Sequence, residues 1–291
     1  MHARQSVSVL GVALACASWV PVGAGQAPGS LPLEPPAERG LSVTAAYEGW
    51  YKNADGTFTM LVGYYNRNRK QTLEIPVGPG NRIDPGGPDQ GQPTIFVPRR
   101  EWGVFTITVP KDFGNRKLTW TITANGRTTA VPFSLNPPYE ISPFKDPAMG
   151  NTPPTLRFQP SGPTLTGPPR GIAAAYTATT TQPATIGFWA ADKGNTEGAE
   201  ADPASGRGGF RGPGVTISLS KFRGPGDVKF GKDRPEVSRE DGRVSTTAAF
   251  TVPGEYIIRV QANDASGDGG GGFQCCWTNV HVKVTVKLAS P

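Results

Sequence analysis

Histidine is almost missing from this chain: of 291 residues only His2 and His281 are of that type. A serine or cysteine nucleophile worked by an imidazole base would have to use His281. A zinc or copper site built from several histidines is excluded by count. Charged residues are sparse, at 18 %, and cysteine and methionine number three each. No apolar run is long enough to span a bilayer, so no transmembrane segment is expected. No dense basic run interleaved with aromatics occurs, so nucleic acid is not an expected partner. No segment reads as a helix.

Glycine and proline are abundant instead, at 38 and 30 residues, which favours turns and short strands. Apolar residues still make up 36 % and fall in alternating runs, which argues against disorder. Residues 1–24 read as an export leader: Arg4 gives the positive start, Val7 to Ala17 is a short apolar stretch, and Val22-Gly23-Ala24 fits a small-residue cleavage site. Removing them takes away Arg4 alone, so the formal charge falls from +6 to +5. A competing reading takes Ala13-Leu14-Ala15-Cys16 as a lipoprotein signal with Cys16 lipidated, although the usual leucine three residues before the cysteine is absent. Either way the expected compartment is exported, periplasmic or extracellular. The remaining basic charge suits anionic envelope partners, or simply lysines and arginines scattered over solvated strands.

The pattern predicts an all-β chain of two sandwich domains. Residues 25–39, rich in Pro, Gly and Glu, read as a tether. Residues 40–136 carry the first sandwich. Its hairpin signals are Asp55-Gly56 and Asn125-Gly126. Strands are expected at 72–77 and 103–109, the latter with Val104, Thr106 and Thr108 on one face and Phe105, Ile107 and Val109 on the other. The loop 78–94 is long and holds Asp84 and Asp89. Residues 137–170 are Pro-rich and read as an extended connector, with an edge strand at Thr155 to Phe158. Residues 171–288 carry the second sandwich. Its last strand is the clearest: Val280, Val282, Val284 and Val286 face in, while His281, Lys283, Thr285 and Lys287 face out to solvent.

Three stretches of this second domain resemble PKD-type repeats, the immunoglobulin-like modules of bacterial extracellular proteins. Gln182-Pro183 through Ile186 to Asp192-Lys193-Gly194 is similar to the early strand and its turn. Val215 to Gly226 is similar to the central strand and its Gly-Pro-Gly corner, and Thr246 to Asn263-Asp264 to the closing hairpin. Leu219 stands where many members carry a core tryptophan, and the Cys275-Cys276 pair is foreign to the usual module. The resemblance implies an immunoglobulin-like fold, no enzymatic activity, and a recognition, adhesion or spacer role; the expected partner is a glycan or an envelope protein.

Candidate site residues fall in two groups. In such a sandwich the loops after the second and sixth core strands share one end, here 192–214 and 263–277. They carry Asp192, Asn195, Glu197, Asp264 and Asp268, an oxygen-rich set for which calcium is the candidate ion, no other cofactor being expected. The second loop also brings Phe273, the adjacent Cys275 and Cys276, and Trp277. The cysteine pair reads as a vicinal disulfide forming a rigid knob, as free thiols, or as an intermolecular bridge or soft-metal site. An envelope enzyme or redox protein using these cysteines and the 192–214 loop is the alternative reading. In the first domain Tyr64, Tyr65 and Trp102 are candidates for stacking on sugars, with Arg99, Arg100 and Glu101 as a polar rim.

Overall fold

The computed structural model of the chain describes residues 37–147, 150–192, 214–264 and 275–289. The fold is all-β, and the one helical element among the described residues is a single 3-10 turn at Pro137–Tyr139. In the first sandwich β1 (Val43–Lys52), β2 (Phe58–Asn66) and β6 (Arg99–Val109) form one antiparallel sheet. β4 (Asn81–Asp84), β7 (Leu118–Ala124) and β8 (Arg127–Phe133) form a second. β3 (Leu73–Glu74) and β5 (Ile95–Phe96) make a short ribbon, so the expected strand at 72–77 is cut to two residues. Both hairpin signals hold. Asn125 and Gly126 have φ of 49° and 75°, the double left-handed turn whose twist matches its flanking strands. At the other, the Asp55 carboxylate accepts the Thr57 N–H at 2.9 Å. Between the sheets lies a core centred on Trp120, Phe105 and Phe96, none more than 2 % exposed.

The second sandwich is immunoglobulin-like in topology. β9 (Thr155–Arg157), β10 (Leu165–Thr166), β12 (Ala184–Ala191), β14 (Val228–Phe230) and β15 (Arg243–Phe250) form a sheet of order β10-β9-β12-β15-β14. β11 (Ile172–Thr179), β13 (Thr216–Arg223), β16 (Gly254–Asn263) and β17 (Trp277–Lys287) form the facing sheet, of order β11-β17-β16-β13. β11 runs parallel to β17, and all other pairs in this lobe are antiparallel. Val280, Val282, Val284 and Val286 are at most 4 % exposed, because alternation places every second side chain on the sandwich interior. Tyr256, early in β16, donates its hydroxyl to the Val252 carbonyl at 2.8 Å, the corner bond that fixes the β15–β16 connection in such folds. Leu219 fills its core position at 5 % exposure.

The Pro-rich stretch is more than a spacer. β9 adds to the edge of β12, and β10 pairs with β9. Residues from 35 onward form one compact unit, so the two sandwiches are lobes of a single body. Lobe contact also corrects the reading of the last strand. His281 points away from its own sandwich but not into solvent: its ring lies 4.2 Å from that of Phe222 and its Nε2 is 3.0 Å from the Val104 carbonyl. Val104 is 1 % exposed for the same reason, since the second lobe covers that face of β6. The 78–94 loop is pinned as well, Asp89 forming a two-pronged pair with Arg223 at 2.7 and 2.9 Å. That guanidinium holds the Asp89 carboxyl below the usual carboxylate range.

Candidate functional site: a groove where the sandwiches meet

The β2–β6 ladder breaks between Val62, opposite Phe105, and Tyr64, opposite Glu101. The carbonyls of residues 102–104 are thereby turned toward the second lobe. There the outward positions of β16 and β17 carry Arg259, Gln261, Asn279 and His281, cross-strand neighbours in the pairs Arg259–His281 and Gln261–Asn279. Arg259 donates to the Trp102 carbonyl at 2.9 Å, Asn279 to those of Trp102 and Gly103 at 3.0 Å, and His281 meets that of Val104. The Arg259 guanidinium also pairs with the Glu101 carboxylate. Behind them Arg100 pairs with Glu48 at 2.8 Å, and Glu48 accepts the Gly103 N–H at 2.9 Å. Burial pushes the Glu48 carboxyl up, while the adjacent Arg100 pulls it back. Arg259 and Glu48 are 3 % and 6 % exposed, so these charges stand only because partners surround them.

Beyond this lock no described residue covers the face of the second lobe. A groove of about 1240 Å³ opens there, walled by Arg100, Glu101 and Trp102 on one side and floored by Ser218, Gln261 and Arg259 on the other. The Arg100 guanidinium lies 3.8 Å over the Trp102 ring, which holds an aromatic face and a cation together at the rim. Arg100 and Arg259 are both paired and so held in place, while exposed Asp233, Arg234, Glu236 and Arg239 add further charge to the lining.

The structure distributes the residues singled out in the sequence unevenly. Trp102, Asp192 and Asp264 line this groove together. Asp264 is 5 % exposed and accepts the Asn151 side-chain amide at 2.5 Å. Tyr64 is removed from the stacking candidates: it is 2 % exposed in the first core, and its hydroxyl accepts the Val97 N–H at 2.9 Å. Tyr65 is half-buried beside the Arg67 guanidinium, 5.4 Å from its ring. Cys275 and Cys276 form the vicinal disulfide, across a cis peptide with Cα atoms 3.2 Å apart. They are not an exposed knob: at 4 % and 2 % exposure they lie beneath the connector, Cys275 Sγ 3.7 Å from the Asn151 carbonyl. Trp277 is 1 % exposed and packs with Tyr51, Leu61 and Ile141 of the first lobe and connector. Asn195, Glu197, Asp268 and Phe273 lie outside the described residues. Among the described residues no three His, Cys, Asp or Glu side chains gather as for a metal ion. No helix among them is long and apolar enough to cross a membrane. Ser218, Gln261 and Arg259 were not singled out, because in the sequence they are ordinary polar alternates on strands.

No protein-family model matches the sequence, and no curated protein matches it. Solved structures with some likeness include the D0-D1 domain of Intimin, 12 % identical over 86 % of this chain and 98 % of that one, with a TM-score of 0.23. The Yersinia pseudotuberculosis adhesin InvE is 10 % identical over 84 % of this chain and 58 % of that one, at 0.24. The S-layer protein rSbsC(31-844) is 12 % identical over 86 % and 28 %, at 0.22. Likenesses at these identities and scores carry no argument about activity or partner, and the immunoglobulin-like assignment rests on the strand order of the second lobe.

Proposed function

We propose that the chain is an exported, non-enzymatic envelope module that holds a glycan or protein partner in the groove between its two sandwiches. The carrying observation is the composition of that groove: one aromatic ring backed by a cation, facing amide and hydroxyl side chains on a rigid sheet. Two of its carboxylates are engaged, Glu101 by Arg259 and Asp264 by Asn151, and for these two that suits recognition better than proton transfer. Export rests on the leader-like residues 1–24. The alternative, an envelope enzyme or redox protein at Cys275-Cys276, is weakened by the burial of both cysteines.

The test is a titration of the purified chain against an array of envelope glycans, with chromatography of the bound glycan after incubation. Saturable binding, reduced at least tenfold by Ser218→Trp and by Gln261→Ala at unchanged melting temperature, with the glycan recovered intact, is the expected result. Product that accumulates with time and stops with Glu101→Gln would replace this reading by an enzymatic one.

A further inference from the structure

The outer face of the β10-β9-β12-β15-β14 sheet, the sheet opposite the one that carries Arg259 and His281, has a feature that the groove does not use. Trp189 on β12 stands directly opposite Arg157 of β9 on one side and Arg243 of β15 on the other. Both guanidiniums lie over its ring, at 5.6 and 5.8 Å from the centroid. Neither arginine has an ion pair among the described residues, and the Arg157 Nε is buried without a hydrogen-bond partner there. The contrast with the lobe contact is sharp, since Arg100, Arg223 and Arg259 all have carboxylates. Asp241 stands beside Arg243 at the strand entrance, but its carboxylate is engaged by the Arg243 N–H at 3.0 Å and by Ser238.

Alternation turns the even positions of β15 inward, so Arg243, Ser245 and Thr247 share the outer face with Trp189, Gly187 and, from β14, Lys229. No outward position of these five strands is a carboxylate. The face is therefore cationic, and Gly187, Ser245 and Thr247 keep it flat and hydroxyl-bearing beside the ladder. An aromatic ring orients a guanidinium without neutralising it. An oriented, unpaired guanidinium is a two-pronged receptor for a carboxylate. β12 separates the two arginines, so their backbones stand about 10 Å apart. A chain that repeats its charge can engage both cations at once.

We infer that this face binds an acidic polysaccharide, its carboxylates taken by Arg157 and Arg243 and its sugar rings lying over the small residues beside them. A lipid surface fits less well, since the one large apolar side chain on the face, Trp189, is flanked by guanidiniums and offers nothing to insert. The basic balance of the whole chain, +6, acts in the same direction by drawing polyanions in.

The test is a titration of the intact chain with polygalacturonate, with dextran as the neutral polymer, and with duplex DNA and phosphatidylglycerol vesicles as other polyanions. The expected result is saturable, salt-weakened binding of polygalacturonate and none of dextran. Arg157→Gln with Arg243→Gln should lower that affinity at least tenfold at unchanged melting temperature. Ser218→Trp should leave it intact, which separates this face from the groove. Equal affinity of the double variant, equal binding of dextran, or tighter binding of DNA or vesicles than of polygalacturonate overturns the inference.

Discussion

The six-membered ring of Trp277, the first residue of β17, occupies the space where a Cβ of residue 103 would stand. Gly103 adopts a φ of 52° there and gives its N–H to Glu48. It is thus a point of contact between the lobes that no other residue fits. Gly103→Ala should combine a left-handed backbone penalty with overpacking, and cost about 2–4 kcal/mol in urea unfolding. Gly126→Ala is the control: its φ is 75°, but a Cβ there meets nothing within 4 Å, so about 1 kcal/mol is expected. Equal losses at the two positions would mean that the Trp277 contact contributes nothing.

Arg259 and Glu101 form a mostly buried pair across the lobes, with 4 % and 20 % of their side chains exposed. Removing one partner leaves the other desolvated and uncompensated, which costs about 3–5 kcal/mol. Arg259→Leu should therefore destabilise the chain strongly, the more so because the Trp102 carbonyl keeps only one of its two donors, Asn279. Adding Glu101→Leu should recover part of that loss. A double-mutant cycle by urea unfolding measures this, and strict additivity of the two changes would show that the pair is not coupled.

Alternation and turn signals made parts of both sandwiches legible: the four valines of β17 in the second and the Asn125-Gly126 hairpin in the first are local patterns with local causes. What alternation cannot report is what covers the other face of a sheet. His281 and Val104 both sit at positions that a lone sandwich would expose, and both are covered by the other lobe. The groove was half legible. Trp102, Asp192 and Asp264 stood out by residue type. Arg259 did not, since its partner Glu101 is 158 residues away and no short-range spacing joins them. Arg157, Trp189 and Arg243 became a unit only once the register of three strands was known.

His281 gives the lobe contact a pH dependence. Burial, with Arg259 and Arg223 nearby, lowers its pKa from 6.5 to about 4. The folded chain then binds fewer protons than the unfolded one between those values. Its contribution is complete above about pH 6.5 and is lost as pH falls toward 4, by up to about 3 kcal/mol. Glu48, whose carboxyl is pushed up by burial, acts in the opposite sense, but equally in a variant that keeps it. Urea midpoints at pH 7 and pH 4.5 should therefore converge more for His281→Gln than for the unmodified chain. The same fall in both would remove His281 as the cause.

The vicinal disulfide should behave as a protected bond. Cys275 and Cys276 are covered by the connector, and thiol–disulfide exchange needs direct access of the attacking thiolate to sulfur. A ring closed between neighbours in the chain also removes little freedom from the unfolded state, so its contribution to stability is small compared with that of a disulfide closing a long loop. The expected outcome is that the native chain takes up no alkylating reagent at these positions, even after brief exposure to millimolar reductant. The same treatment in denaturant should label both cysteines. Intact-mass measurement reads the difference directly. Labelling of the native chain without reductant would show two thiols rather than a bond, and rapid labelling with reductant alone would show that the connector opens freely over this end of β17. In that second case the cysteine pair would regain its standing as a redox-responsive element next to Asp264 and the groove.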